Sequence, residues 1–212
     1  MKQIELFATS PVDTLSFEQQ ARNNGYYLVA GIDEAGRGAL SGPVVAAAVI
    51  LPAGLLLPGV DDSKKLSPHT RERLFDVIMS RAISVGIGWV APELIDRINI
   101  LQATRHAMKE AVLCLAPQPD FLLIDGITTI DSPIHQKTIK KGDSLSLSIA
   151  AASIIAKVSR DRLMRELDAL HPGYGFAEHK GYGCSAHMEA IRLLGPTDVH
   201  RLTFGGVREH VD

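Results

Sequence analysis

The sequence predicts an α/β protein, a mixed sheet with helices packed against it. Three observations lead there. Two apolar runs, residues 27–33 and 44–51, flank one short glycine-rich turn and read as a strand pair. Later segments alternate between strand and helix periodicity, the pattern of helices laid on a sheet. Phe121-Leu122-Leu123-Ile124 is wholly apolar, the composition of a central strand covered on both faces.

Residues 1–26 are polar and weakly patterned, and read as a lead-in to one domain over 27–212. The turn after the first strand is closed by Pro43. Ser67-Pro68 supplies an N-cap followed by proline at the first helical position. The helix after it is expected to bury Leu74, Phe75, Ile78, Met79 and Ala82. Ile83, Val85, Ile87 and Trp89 alternate with Ser84, Gly86 and Gly88, a third strand. Residues 92–115 are helical with a break near Asn99, and Ile95, Ile98, Met108, Ala111, Val112 and Leu115 form the buried stripe. A weaker extended piece at 134–140 follows the 121–124 strand. A long helix over 146–170 carries Ala150-Ala151-Ala152-Ser153, small enough to pack closely on a sheet. A loop over 171–184 and a short helix ending near Leu194 complete the order.

A chain of 212 residues fits one domain. A net charge of −2 gives no overall basic field, so a polyanionic partner has to be met by local patches. Cys114 and Cys184 stand far apart in no CxxC pattern and are expected as reduced thiols. Residues 1–10 lack the basic-then-apolar plan of a signal peptide. The longest apolar stretch, 44–60, is interrupted by Pro52, Gly54, Pro58 and Gly59, short of the roughly 20 residues of a membrane span. A cytoplasmic protein without membrane contact is the expectation.

The chemistry concentrates in Gly31-Ile32-Asp33-Glu34-Ala35-Gly36-Arg37-Gly38. An apolar strand ending in two acids is costly unless they meet a cation. The Gly-Arg-Gly turn offers backbone N–H groups and a guanidinium, which suit phosphate. Asp125 ends the apolar strand before a glycine, and Asp143 sits at the start of the long helix. Taken singly, Asp125-Gly126 reads as a turn and Asp143 as a helix cap. Together the four acids fall at predicted element ends, and acids at strand ends in α/β sheets gather at one edge, so a shared site is the expectation. Carboxylates without His or Cys select Mg²⁺ or Mn²⁺ over zinc, and the eight histidines show no ligand spacing. Three or four such acids suit a two-metal site for phosphodiester hydrolysis.

Among the basic residues, Lys64 follows Asp62-Ser63, and Lys157, Arg160, Arg162 and Arg165 read as a solvated face of the long helix. Tyr182, in His179-Lys180-Gly181-Tyr182-Gly183, can stack on a sugar or base. The turn nearly matches the dinucleotide fingerprint GxGxxG, but it leads into a strand where that fingerprint opens a helix, and its acids would repel a pyrophosphate.

Six motifs, GIDEAGRGALSGPVVAAAVIL (31–51), DSKKLS (62–67), LLIDG (122–126), KGDSLSLSIAAASIIAKVSRDRLM (141–164), YGFAEHKGYG (174–183) and GPTDVHRLTF (195–204), resemble bacterial ribonuclease HII in order and over nearly the whole chain. The resemblance implies the ribonuclease H fold, with a five-stranded sheet and a small helical C-terminal region. It implies two-metal hydrolysis, by Mn²⁺ or Mg²⁺, of the RNA strand of RNA–DNA hybrids. It also implies cutting on the 5′ side of single ribonucleotides in duplex DNA. A monomer is the separate expectation. The family's catalytic and metal-binding acids fall on Asp33, Glu34, Asp125 and Asp143, with Asp33 bridging the ions. Its substrate-binding positions fall on Gly36, Arg37, Gly38, Lys64 and Tyr182. The sister family, ribonuclease HIII, resembles the chain in its acids but has Gly-Thr-Gly at the turn and a substantial N-terminal domain. A hybrid-binding module without catalysis is the remaining alternative.

Overall fold

The computed structural model describes residues 13–60 and 63–211, so Asp62 and the stretch read for a signal peptide lie outside the described residues. Five strands, β1 (Val29–Ala35), β2 (Val44–Ile50), β3 (Ser84–Val90), β4 (Phe121–Asp125) and β5 (His135–Ile139), form one sheet in the order β3-β2-β1-β4-β5. The first three pair antiparallel, and β4 and β5 add in parallel. The expected mixed five-stranded sheet is therefore present. It is covered by α2 (Pro68–Arg81), α3 (Pro92–Leu113) and α4 (Leu147–Leu170). Two shorter helices, α5 (Phe176–His179) and α6 (Ser185–Leu194), follow.

Side chains alternate across a strand, so each strand serves two layers. Ala30, Ile32, Ala46, Ala48, Leu122 and Ile124 pack against α3, and Ala47 and Val49 pack with α2 and α4. The glycines of β3 are used for close approach. A Cβ on Gly86 or Gly88 would run into the backbone carbonyls of Ala111 and Ala107, so α3 lies directly on that face. The larger face of β3 is turned the other way, leaving Trp89 60% exposed. Gly31 plays the same part in β1, where a Cβ would collide with the backbone of Ser148 and Ile149 in α4.

Four expectations change. The lead-in contains a helix, α1 (Ser16–Asn23), too short to show a clear period in the sequence. The 171–184 loop contains α5. Met79 is exposed because α2 is covered on the Leu74 and Ile78 side. Asp143 does not cap α4: it lies in a 3-10 turn, Gly142–Ser144, and Ser146 is the cap. The break near Asn99 is present, with φ at 67° and the Asn99 side chain accepting from the N–H groups of Leu101 and Gln102.

Candidate active site

The parallel register of β1 and β4 sets Ile32 beside Ile124, so Asp33 and Asp125 follow next to each other at the same sheet edge. The turn before α4 brings Asp143 to them. Carboxylate oxygens of Asp33, Asp125 and Asp143 all lie within 4.8 Å of one another, with no His or Cys in the group. Gly142 N–H donates to Asp125 Oδ1 at 2.6 Å, which ties the turn to β4. A Cβ at Gly142 would press on Ile149 and Asp125, so glycine keeps that approach open. Asp33 and Asp143 are buried.

Glu34 is outside this group. It shares the strand parity of Ile32, whereas Asp33 shares that of Gly31 on the α4 side. Its Oε1 accepts from Arg37 Nη1 at 3.2 Å. Lys64 Nζ donates to Asp143 Oδ2 at 3.3 Å. Burial, and then the charges of Glu34 and Asp125, push the Asp33 carboxyl well above the usual carboxylate range. Burial also raises Glu34, against the pull of Arg37. Burial raises Asp125, opposed by the Gly142 N–H and reinforced by Asp143. Negative charge is in excess here. An all-oxygen donor set with excess negative charge fits a hard divalent cation.

Asp33, Glu34 and Asp125 share a cleft of about 210 Å³ with Gly36, Arg37, Gly38, Lys64 and Tyr182. Every candidate site residue read from the sequence lines that cleft except Asp143, which does not line it but lies within 4.8 Å of the Asp33 and Asp125 carboxylates that do. Two further lining residues, Ser153 and Lys157, had a signal in their spacing, one helical turn apart on α4. Ser153 hydrogen-bonds Asp33 and holds Ser63 Oγ at 2.9 Å.

The turn after β1 is gripped from both sides. Leu40 N–H donates to Gly181 O and Gly42 N–H to Val199 O, both at 2.8 Å. Two buried arginines bind its carbonyls. Arg160 donates to Pro43 O and Ser41 O, and Arg201 to Gly36 O, Arg37 O and Gly42 O, all at 2.7–3.1 Å. Arg160 also donates to Lys180 O, and its guanidinium stands 5.5 Å from the Tyr182 ring centre. The solvated reading of Arg160 is therefore corrected: it is 0% exposed, because its hydrogen-bond partners are backbone groups that the sequence does not mark.

A histidine relay supports Tyr182 from behind. Thr197 N–H donates to His200 Nδ1 at 2.9 Å, which leaves the His200 Nε2 proton for His187 Nε2, 3.2 Å away. His187 Nδ1–H then donates to Tyr182 O at 3.1 Å. Only neutral rings satisfy all three contacts. Burial lowers both histidines to about 4, well under an unfolded value near 6.5. Below pH 6.5 the unfolded chain takes up protons that the folded chain refuses. Stability is therefore expected to fall as pH drops from 6.5 to 4, by up to about 1.4 kcal/mol per pH unit for each histidine. Urea denaturation across that range checks this. An unchanged midpoint, or the same slope in His200→Gln, would mean the relay carries no pH dependence.

Carboxylates clustered at a sheet edge beside a donor-rich turn define a class, the metal-dependent α/β hydrolases. A family model described as Ribonuclease HII matches residues 30–207. A ribonuclease HII of Pelobacter propionicus is 75% identical over 100% of this chain and 96% of that protein. One of Geobacter sulfurreducens is 65% identical over 92% and 90%. The crystal structure of ribonuclease H2 from Pyrococcus horikoshii covers 85% of this chain and 95% of that one, at 26% identity and a TM-score of 0.71. The chain belongs to the ribonuclease HII family, with the ribonuclease H-like fold and the hybrid-directed endoribonuclease activity of a metal-dependent ribonuclease H.

Proposed function

We propose that Asp33, Asp125 and Asp143, with Glu34 beside them, hold two divalent ions, Mg²⁺ or Mn²⁺. On this reading the protein also cuts duplex DNA on the 5′ side of a single embedded ribonucleotide, leaving 3′-hydroxyl and 5′-phosphate ends. The observation that carries the proposal is one cleft lined by Asp33, Glu34, Asp125, the Gly-Arg-Gly turn and Tyr182, with the Asp143 carboxylate within 4.8 Å of both aspartates. Bound there, the ions supply Lewis-acid activation of water and charge stabilisation of the leaving 3′-oxygen. The chain's own residues do the recognition. Arg160 and Arg201 occupy the turn's carbonyls, so Gly36, Arg37 and Gly38 offer N–H donors to the ribose 2′-hydroxyl. Tyr182, 40% exposed, stacks on the next sugar and favours deoxyribose. The step from RNA to DNA is read, with no base sequence specified. Lys64 balances Asp143 and reaches toward a backbone phosphate. The protein acts as a cytoplasmic monomer in removing ribonucleotides from DNA. Among the described residues no helix is long and apolar enough to cross a membrane.

The test is a DNA duplex with one ribonucleotide, incubated with Mg²⁺, Mn²⁺ or chelator, alongside Asp143→Asn. Cutting 5′ of the ribonucleotide with either metal, and none with chelator or variant, is expected. Binding without cleavage in any metal would remove single-ribonucleotide cutting from this reading. Arg37→Ala is expected to weaken single-ribonucleotide cutting at least several-fold more than cutting of long hybrids. Equal losses on the two substrates would remove the turn from junction sensing.

A further inference from the structure

The first turn of a helix has N–H groups without helical partners. In α4 these are met largely from outside the helix. Leu147 N–H donates to Thr14 O at 2.8 Å, Ser148 N–H to Glu18 Oε1 at 3.0 Å, and Ile149 N–H to Ser146 Oγ at 3.3 Å. Glu18 Oε1 also accepts from the Ser146 and Ser148 hydroxyls, both at 2.6 Å. Glu18 comes from α1 and is 3% exposed. A buried side chain that gathers three donors onto one oxygen ties α1 firmly to the start of α4.

That turn is also where the active-site spacing is set. α4 touches β1 at Gly31, two residues before Asp33, through the backbone of Ser148. Ser146 N–H donates to Gly142 O at 2.8 Å, in the turn that carries Asp143. Gly142 N–H in turn holds Asp125. One chain of contacts runs from Glu18 through Ser146 and Gly142 to Asp143 and Asp125.

We propose that Glu18 is a positioning residue for the metal site. By pinning the first turn of α4 against β1 it sets the distance of Asp143 and Asp125 from Asp33, and so the affinity for divalent ions. The inference rests on the reading of the three aspartates as metal ligands. The test is calorimetric titration of Mn²⁺ alone into the full chain, with melting temperature and KM for a hybrid measured beside it. Glu18→Asp, too short to keep the three bonds, is expected to bind Mn²⁺ about tenfold more weakly with KM unchanged, the usual scale for losing support behind a ligand. Glu18→Gln keeps the length and an accepting oxygen and is expected to recover most of the affinity. If Glu18→Asp does not fold, Ser148→Ala, which removes one of the three bonds, takes its place with the same outcomes. Wild-type Mn²⁺ affinity in the folded variant overturns the proposal even if its melting temperature falls, since a plain helix cap would give that result. Mn²⁺ binding by the unaltered chain that Asp143→Asn leaves intact would overturn the ligand reading, and the proposal with it.

Discussion

Asp33→Asn is expected to lower the cleavage rate by at least about 10²-fold while the protein stays folded, the scale for losing one stabiliser of developing charge. Its carboxylate lies within 4.8 Å of those of Asp125 and Asp143 and is hydrogen-bonded by Ser153. Asparagine keeps the shape and loses the charge. Its effect on stability has the opposite sign. A carboxyl raised by burial and like charges costs the fold increasingly as pH rises through its folded value. In chelator at pH 8 the variant is therefore expected to melt no lower than the unaltered chain. Single-turnover cleavage and a melting curve in chelator check the two halves. A folded variant with more than a tenth of the normal rate would refute the central role of Asp33.

Arg201→Ala is expected to cost about 3 kcal/mol, because it strips the guanidinium donors from the buried carbonyls of Gly36 and Gly42 and from the part-buried carbonyl of Arg37, leaving Gly36 O only the Ala39 N–H at 3.4 Å. For a chain of this size that is a fall of roughly 6–12 °C in melting temperature. Burial draws the Arg201 guanidinium down to about 9, with Arg160 adding to it, which leaves it charged at neutral pH. Arg201→Lys restores charge but not the planar fork, and is expected to recover little. Below its melting temperature, Arg201→Ala is expected to lose preference for single ribonucleotides, since the turn's carbonyl side is no longer held. A melting temperature within 2 °C of the unaltered chain would show that water replaces the guanidinium. That would take away the physical basis for a fixed turn.

The acids were legible because their positions are anomalous locally: charges at the ends of apolar strands need a reason. Gly86 and Gly88 were legible as strand residues, yet their use as a landing strip for α3 was not, because close approach is a property of two elements at once. Arg160 looked like part of a charged surface, since nothing in its neighbours along the chain reports that its partners come from the turn and from Lys180. His187 and His200 lie thirteen residues apart with no ligand spacing, and only the packing of α6 against the following loop joins them. Glu18 was hidden for a simpler reason: eight helical residues carry too little period to separate from a polar tail.

By itself the sequence determined the set of strands and long helices, the carboxylate-only chemistry and the family resemblance. All three reside in local periodicity and in motifs that need no partner to be recognised. The tertiary structure alone decided that Asp33, Asp125 and Asp143 converge while Glu34 turns to Arg37. It alone decided that two arginines are spent on one loop. Those outcomes depend on strand register and on where α4 crosses β1, and a one-residue change in register would send Asp33 to the other face.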